Sequence, residues 1–385
     1  MERTYLDNAA TTPIAPEVVD AMLPYLREHF GNPSSIHAHG RRTRAAVEQA
    51  RRTIAGLLNC SPGEIIFTSS GTEADNMALR CAVRDLNATH VISSPTEHHA
   101  IEHTYQEIDR QGQARVHLVR LDAEGRADLD HLEDLLRQHP RALISLMHAN
   151  NEIGTRNDIK AIGELGRTHG AVLHSDTVQT MGHYRFDLQQ LPVDMLTASA
   201  HKFHGPKGVG FLYLRSGLTL RPLIQGGAQE RNMRGGTENV IGIVGLAKAM
   251  ELAYADLEAH QQHVRGLKQH MMDRLRAEVP DVGFNGDVGP DSLYTVLNVR
   301  FPDDGRAEML IYNLDIEGIS VSGGSACSSG SNTGSHVLGA LYGDRPGANI
   351  RFSFSRYNTM AEVDRTVDVL LQVLGIREGI PVRNV

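Results

Sequence analysis

The stretch MLTASAHKFHGPKGVGFLYL (195–214) sets Lys202 between two histidines, just ahead of an apolar run. Lysine is scarce here: only Lys160, Lys202, Lys207, Lys248 and Lys268 occur among 38 basic residues. Schiff-base chemistry needs such an amine, held near an aldehyde and deprotonated for attack. The plain alternative is a surface lysine beside a turn. Ser199, His201 and His204 are polar neighbours suited to holding an anion, and the GPKG that follows forces a tight turn. In AVLHSDTVQT, Asp176 ends a run that reads as a buried strand, where open α/β sheets contact their ligands. A carboxylate there suits the ring nitrogen of pyridoxal phosphate, because the protonated pyridinium is the better electron sink. Gln179 is then placed to reach the ring oxygen. A helix N-cap is the competing reading of Asp176.

Four more stretches carry usable chemistry. FTSSGTEADNMALR reads as a strand, a sharp glycine turn and a helix start, where backbone N–H groups attract phosphate. Gly71 and Thr72 are the expected contacts, with simple capping by Ser70 or Thr72 as the alternative. In SSPTEHHAIEH, His98 follows a strand end and is placed to stack on a flat cofactor or move protons. No metal is expected at His98, His99 and His103, since adjacent histidines do not share a helix face and no thiolate or carboxylate spacing accompanies them. LMHANNEIGT puts Asn150 and Asn151 after a strand. ANIRFSFSRYNT puts Arg351 in a strand, its planar fork suited to a carboxylate ligand or to an Arg–Asp bridge.

The chain has three cysteines. Cys327 sits in SGGSACSSGSNTGS (322–335), where ten of 14 residues are Ser or Gly, a composition that cannot build a core. It reads as a reactive thiol on a mobile loop. Cys81, within a helix pattern, and Cys60 read as small apolar side chains.

These residues need a frame. EIIFTS (64–69), HVISS (90–94), ALISLMH (142–148), AVLHSD (171–176) and GVGFLYL (208–214) read as buried strands. Between them lie helical stretches such as TEADNMALRCAVRDL and DIKAIGELGRTHG. This alternation implies an α/β layer around a mostly parallel sheet. ELAYADLEAHQQHVRGLKQHMMDRLRAEVP (251–280) reads as one long charged helix. After it come the strands YTVLNVRF, ISVSG and ANIRFSFS, then a helix in which Thr359 and Glu362 have capping-box spacing. A domain boundary is expected near residue 255. The expected division is a large domain over 15–255, and a small α+β domain over 1–14 and 256–385 that carries the Cys327 loop.

At 385 residues the chain exceeds one typical core. The net charge of −8 argues against a nucleic-acid partner. No apolar run is long enough for a membrane span, and no signal pattern opens the chain. Three cysteines argue against a disulfide framework and for a reducing, cytoplasmic setting.

Taken together, YLDNAATTP, GNPSSIHAHGR, FTSSGTEADN, TEHHA, NNEIGT, HSDTVQT, SAHKFHGPKG, RGGTEN, GSACSSG and IRFSFSRYNT, in this order and spacing, closely resemble the NifS/IscS-type cysteine desulfurases. These belong to the class V aminotransferase group of fold-type I pyridoxal phosphate enzymes. The resemblance implies that fold, with a large cofactor domain and a smaller α+β domain. It implies that Lys202 bonds the cofactor aldehyde and that His98 stacks on the ring. Asp176 and Gln179 would hold its ring nitrogen and oxygen, and Asn151 would also contact it. Gly71, Thr72, Ser199 and His201 would hold the phosphate, joined by Thr237 of a second subunit, hence a homodimer. Asn8 and Arg351, with Asn151, would bind the substrate, and Cys327 would be the nucleophile that accepts sulfur from L-cysteine. The product is alanine, and the sulfur then passes to an acceptor or iron–sulfur scaffold protein. After Cys327 many relatives carry bulkier residues than SSGSNTGSHVL, a departure that bears on acceptor choice. A selenocysteine lyase or an ordinary aminotransferase shares the fold, and a catalytically silent sulfur-carrier scaffold is the reading from another class.

Overall fold

Short runs of residues buried on both faces build most of the main sheet. In the computed structural model, residues 3–302, 309–323, 334–343 and 347–377 are described. The strands are β1 (Thr4–Tyr5), β2 (Ile65–Thr68), β3 (His90–Ser93), β4 (Arg115–Leu118), β5 (Leu143–Ser145), β6 (Val172–Asp176), β7 (Met195–Ser199), β8 (Gly210–Leu214), β9 (Gly283–Asn285), β10 (Val296–Phe301), β11 (Ile319–Ser320) and β12 (Ala348–Ser353). Seven of them form one sheet in the order β2-β8-β7-β6-β5-β3-β4, in which β8 runs antiparallel to both neighbours and the other pairs are parallel.

Successive strand residues face opposite ways, so Phe67, Ile92, Ile144 and Leu196 enter one core while Ile66, Val91, Leu143 and Met195 enter the other. Helices α1 (Pro16–Arg27), α2 (Ala38–Leu57), α3 (Gly71–Asp85), α4 (His99–Arg110), α5 (Leu129–Gln138), α6 (Ile159–Thr168) and α7 (Val240–Ala255) cover the two faces. Residues of α3 and α4 pack one face; α2, α5, α6 and α7 pack the other. Helices α8 (Leu257–Glu278), α9 (Leu310–Ile316), α10 (His336–Tyr342) and α11 (Met360–Val373) follow. A further core packs α8 and α11 on the antiparallel sheet β12-β10-β9.

The five strands read in the first half of the sequence are all present, shortened by one to four residues. Two others escaped that reading. RVHL of β4 is a partly exposed edge strand without an apolar run, and MLTAS of β7 is rich in small residues that look like a turn. The single helix expected over 251–280 is two helices, broken at Asp256 (φ −122°, ψ 34°). The break has a packing cause. Met250, Ala253 and Tyr254 belong to the core under the main sheet, whereas Val264, Leu267 and Met271 belong to the core of the antiparallel sheet. One straight axis cannot serve both. The capping box at the start of α11 forms as read, the Thr359 hydroxyl accepting from Glu362 N–H and the Glu362 carboxylate from Thr359 N–H.

A buried ion pair closes the β2 edge. Both Arg51 Nη atoms donate to the Glu230 carboxylate at 2.9 and 2.7 Å, and Glu230 Oε2 also accepts from Phe67 N–H at 2.8 Å. Removing one partner strands a buried charge, at a cost of about 3–5 kcal/mol. Arg51→Ala should therefore lower the free energy of unfolding measured in urea by that much, and a change below about 1 kcal/mol would show that Glu230 is hydrated.

Candidate active site

The carboxyl ends of the parallel strands and the start of α3 surround a cavity of about 280 Å³. It is lined by Gly71, Thr72, His98, Asn151, Asp176, Gln179, Ser199, His201, Lys202 and Arg351. Sequence-distant stretches thus meet in one place. Asn8 does not join them. It is 5% exposed, and its Nδ2 donates to Ser353 O (2.8 Å) and Asn358 Oδ1 (3.2 Å), which ties the N-terminal segment to β12, while its Oδ1 has no hydrogen-bond partner among the described residues. Thr237 lines a separate cavity with Ser69, Arg234 and Asn239. Cys327 lies outside the described residues.

Lys202 ends a 3-10 turn, Ala200–Lys202, immediately after β7. Its Nζ donates to Ala9 O at 2.6 Å and Ala10 O at 2.9 Å. Gln179 Nε2 donates to the same Ala9 carbonyl at 3.0 Å. The chain before α1 therefore forms one wall of the cavity. His201 is hydrogen-bonded to Thr11 on that wall (3.1 Å), and burial, then the Lys202 charge, push its pKa down to about 4.

Asp176 ends β6, 7% exposed. Its Oδ1 accepts from Val178 N–H at 2.8 Å, a turn contact, and no helix starts there. Burial pushes its carboxyl up to about 6, against the opposing pull of that N–H and of Lys202. Helix α3 begins directly beside it. Ser70 caps the helix, accepting from Glu73 N–H at 3.1 Å, so the capping reading of Ser70 holds alongside its place on the cavity wall. A β-carbon on Gly71 would sit 2.8 Å from Val178 Cγ2, so only glycine lets the helix start this close to the turn after β6. The first N–H groups of an α-helix have no intrahelical acceptor and carry its positive dipole end. Gly71 and Thr72 bring that end to the cavity.

His98 caps α4, its Nδ1 accepting from Ala100 N–H at 3.1 Å. An accepting Nδ1 puts the proton of the neutral ring on Nε2. Burial, then Lys202, lower its pKa to about 4. At neutral pH His98 is thus an uncharged ring with an N–H donor at Nε2. Arg351 is 1% exposed and makes the bridge read as its alternative, to Asp7 Oδ1 at 2.9 Å, while Nη1 donates to Asn151 O at 2.9 Å. It still lines the cavity. Asn150 shapes the turn: its Nδ2 donates to Thr96 O and its Oδ1 accepts from Glu152 and Ile153 N–H.

Two buried acids beside this site were not singled out from sequence. Asp75 (1% exposed) lines the cavity, and burial, then the Asp176 charge, hold its carboxyl well above the usual range. Glu97 (1% exposed) is pushed up to about 8, chiefly by burial. Its Oε1 accepts from Met147 N–H at 3.0 Å and Ser94 Oγ at 3.2 Å, while Oε2 has no hydrogen-bond partner among the described residues. The available signal for Asp75 was an acid on the apolar face of α3, between Gly71 and Ala78.

A raised carboxyl pKa makes stability depend on pH in a definite direction. The folded chain keeps the Glu97 proton up to about pH 8, whereas an unfolded glutamate loses it near 4.5. The folded state binds more protons across that window, so stability is fully present below it and falls as pH rises through it. Glu97→Gln removes this term. The melting temperature of the variant should fall less between pH 5 and pH 8 than that of the wild type; an identical pH dependence would mean that Glu97 ionises freely in the folded chain.

Comparison with known proteins agrees with the geometry. Residues 4–366 match the family model "Aminotransferase class-V". Cysteine desulfurase IscS of Dictyoglomus turgidum is 43% identical over 375 residues, 96% of this chain and 94% of that protein. A cysteine desulfurase of Cereibacter sphaeroides is 44% identical over 375 residues, 96% of this chain and 95% of its own length. Among solved structures, one named "NIFS-LIKE PROTEIN" superposes with a TM-score of 0.90 at 36% identity, covering 98% of this chain and 100% of that one. With a lysine, a buried aspartate and a helix N-terminus gathered at the carboxyl edge of its sheet, the chain belongs to the class V aminotransferases, among the cysteine desulfurases of the IscS and NifS type.

Proposed function

We propose that the chain takes the sulfur of free L-cysteine onto Cys327, releases L-alanine, and uses pyridoxal phosphate as its cofactor. The observation that carries this reading is where the Cys327 segment is anchored. Ser322 N–H donates to Arg351 O and Arg351 N–H to Ser322 O (2.7 Å), so one flank is tied to a cavity residue. On the other flank His336 lines the cavity and bonds Glu97 O at 2.9 Å, while Ser335 Oγ donates to Glu152 Oε2. Cys327 is five residues from Ser322, a span of at most about 18 Å at about 3.6 Å per residue. The thiol is therefore tethered within reach of the site.

The residues present fit pyridoxal phosphate. Asp176 is a carboxyl raised by burial, and a protonated ring nitrogen against it offsets that cost. Lys202 would bond the aldehyde, and Gln179 would meet the ring oxygen. His98 would stack on the ring face, and Asn151 would contact it. The α3 start at Gly71 and Thr72, with Ser199, His201 and the Thr237 of a second copy, would hold the phosphate. When bound, the cofactor supplies an electron sink that makes the substrate α-proton acidic. The chain does the rest. Lys202 would be the base placed to take that proton. Arg351 holds the substrate carboxylate, in exchange for part of its bond to Asp7. The Cys327 thiolate attacks the cysteine sulfur: an S–S bond forms and the C–S bond breaks. Its electron pair stays with the carbon skeleton, which takes up protons to become alanine.

A homodimer suits two features. Thr237 lies away from the cavity of its own chain, and Leu26, Phe30 and Ile36 are 59%, 80% and 90% exposed around the α1–α2 connection. The organisation proposed with it is a large cofactor domain over 15–255 and a small one over 1–14 and 256–385. No helix of the described residues is long and apolar enough to cross a membrane. We place the enzyme in the cytoplasm, passing its persulfide sulfur to an acceptor or iron–sulfur scaffold protein.

Cys327→Ser should bind cofactor and L-cysteine yet release no alanine under turnover. In the wild type, mass spectrometry after brief exposure to cysteine should find one added sulfur on the Cys327 peptide. Added sulfur on Cys60 or Cys81, or wild-type alanine release by Cys327→Ser, would overturn the assignment. Arg351→Ala should raise KM for cysteine by about a hundredfold, since charged hydrogen bonds contribute about 1.5–3 kcal/mol each; an unchanged KM would move the carboxylate site elsewhere.

A further inference from the structure

Three histidines that the catalytic cavity does not use meet at the other end of the sheet. His90 opens β3, His117 is the third residue of β4, and His139 follows the last residue of α5. In the parallel register His117 lies opposite Ile92, two residues after His90. Period-two geometry therefore sends His90, Ile92 and His117 to one face of the sheet. That face packs against Leu132, Leu135 and Leu136 of α5, and α5 ends at His139. The catalytic cavity lies beyond the opposite, carboxyl end of β3, and none of the three lines it.

The three rings lie close enough to share one ion. His90 Nδ1 and His117 Nε2 are 3.0 Å apart. The His139 ring lies 4.4 Å from the His90 ring and 3.9 Å from the His117 ring, centroid to centroid. One nitrogen from each residue lies within 4.8 Å of the other two. Tetrahedral zinc with Zn–N bonds of about 2.0–2.1 Å sets its ligand nitrogens about 3.3 Å apart. The His139 ring is stacked on His90 and His117, with 26° and 18° between ring planes, so the rings must turn out of this stack to aim their nitrogens at one ion, and all three are only half-buried. One N–H···N bond accounts for His90 and His117, but it leaves the His139 side chain with ring contacts alone among the described residues. Burial, then the His139 charge, lower the pKa values of His90 and His117. Their lone pairs are thus available at neutral pH. Arg115 opposes a cation here, and Asp109 favours one.

We propose that His90, His117 and His139 bind one divalent first-row transition ion of the zinc class, at a site separate from the catalytic cavity. Three imidazoles without a carboxylate select zinc, nickel or copper over calcium and magnesium. Three protein ligands leave one coordination position to solvent.

The test uses the full-length, cofactor-loaded enzyme and Co²⁺ as a spectroscopic stand-in for zinc. The wild type should bind one equivalent with visible d–d bands and no thiolate-to-cobalt charge-transfer band. His139→Asn should weaken binding by at least about a hundredfold, since even outer-shell changes at metal sites cost 10–100-fold. His90→Asn should do the same, and it stands in if His139→Asn fails to fold. His336→Asn should leave binding unchanged, which separates this cluster from the neighbouring set His99, Glu102 and His336 at the cavity mouth. A wild type that binds no Co²⁺ would make the three rings a neutral stack and overturn the proposal. So would wild-type affinity in both His139→Asn and His90→Asn, or a thiolate band in the bound spectrum.

Discussion

The Lys202 amine is held by the carbonyls of Ala9 and Ala10, and much of the structure serves to bring those two carbonyls there. The segment before α1 is a strap tied at almost every residue. β1 pairs with β11, and Leu6 is buried in the core of the antiparallel sheet. Asp7 bridges Arg351, and Asn8 and Ala9 bond Ser353. Thr12 and Ala15 then bond the backbone around His201 and His204. Its first half thus belongs to one core and its second half to the other. The amine at the end of β7 and the guanidinium in β12 are set relative to each other through this strap. A shift of either core would be felt at both ends of the site.

The second constraint is dehydration. β6 carries His174, Ser175 and Asp176 through the middle of the main sheet, all buried. Each needs a partner, because an unpaired buried polar group is costly. Ser175 donates to Leu146 O at 2.7 Å, and His174 bonds Ser145 and Thr197 at 3.0 Å each. Asp176 is then left among Asp75 and Glu97, in a region too dry to keep three carboxylates charged at once. The Lys202 charge lowers the Asp176 pKa and also that of His98. The same electrostatics therefore favour a charged aspartate and a neutral imidazole on the two sides of one cavity. This pairing suits a cationic ring nitrogen at one end and a hydrogen-bond donor at the other.

Much of this was legible in the sequence, for physical reasons that can be named. Apolar runs bounded by turn residues mark strands that are buried on both faces, whatever their direction. That rule found β2, β3, β5, β6 and β8. It passed over β4, whose edge position leaves it partly exposed, and β7, whose small residues make room for the start of α3. Asp176, Gly71 and His98 stood out because each ends or follows an apolar run read as a strand, where open sheets bind ligands, and Lys202 because lysine is scarce and this one sits between two histidines. Asn8 followed from family resemblance alone, and its amide nitrogen is bonded within the fold, outside the cavity wall. Asp75 and Glu97 lay within quoted motifs but had no visible role, since their burial depends on residues far away in sequence. The histidine triad was beyond reach of spacing. His90, His117 and His139 are separated by 27 and 22 residues, and only the parallel register of β3 and β4 brings them together.

Burial also sorts the thiols. Sulfur transfer needs a thiolate, and an ordinary cysteine is mostly protonated at neutral pH, with a pKa of about 8.5. Cys60 is pushed up to about 12 by burial and then by Glu64, and Cys81, fully buried in α3, is raised by burial as well. Both thiols are therefore held protonated at neutral pH. The requirement for a thiolate therefore points away from both. The remaining cysteine is Cys327, and the described residues on either side of its segment, Ser322 on one flank and Ser335 with His336 on the other, are bonded to the wall of the cavity that holds Lys202.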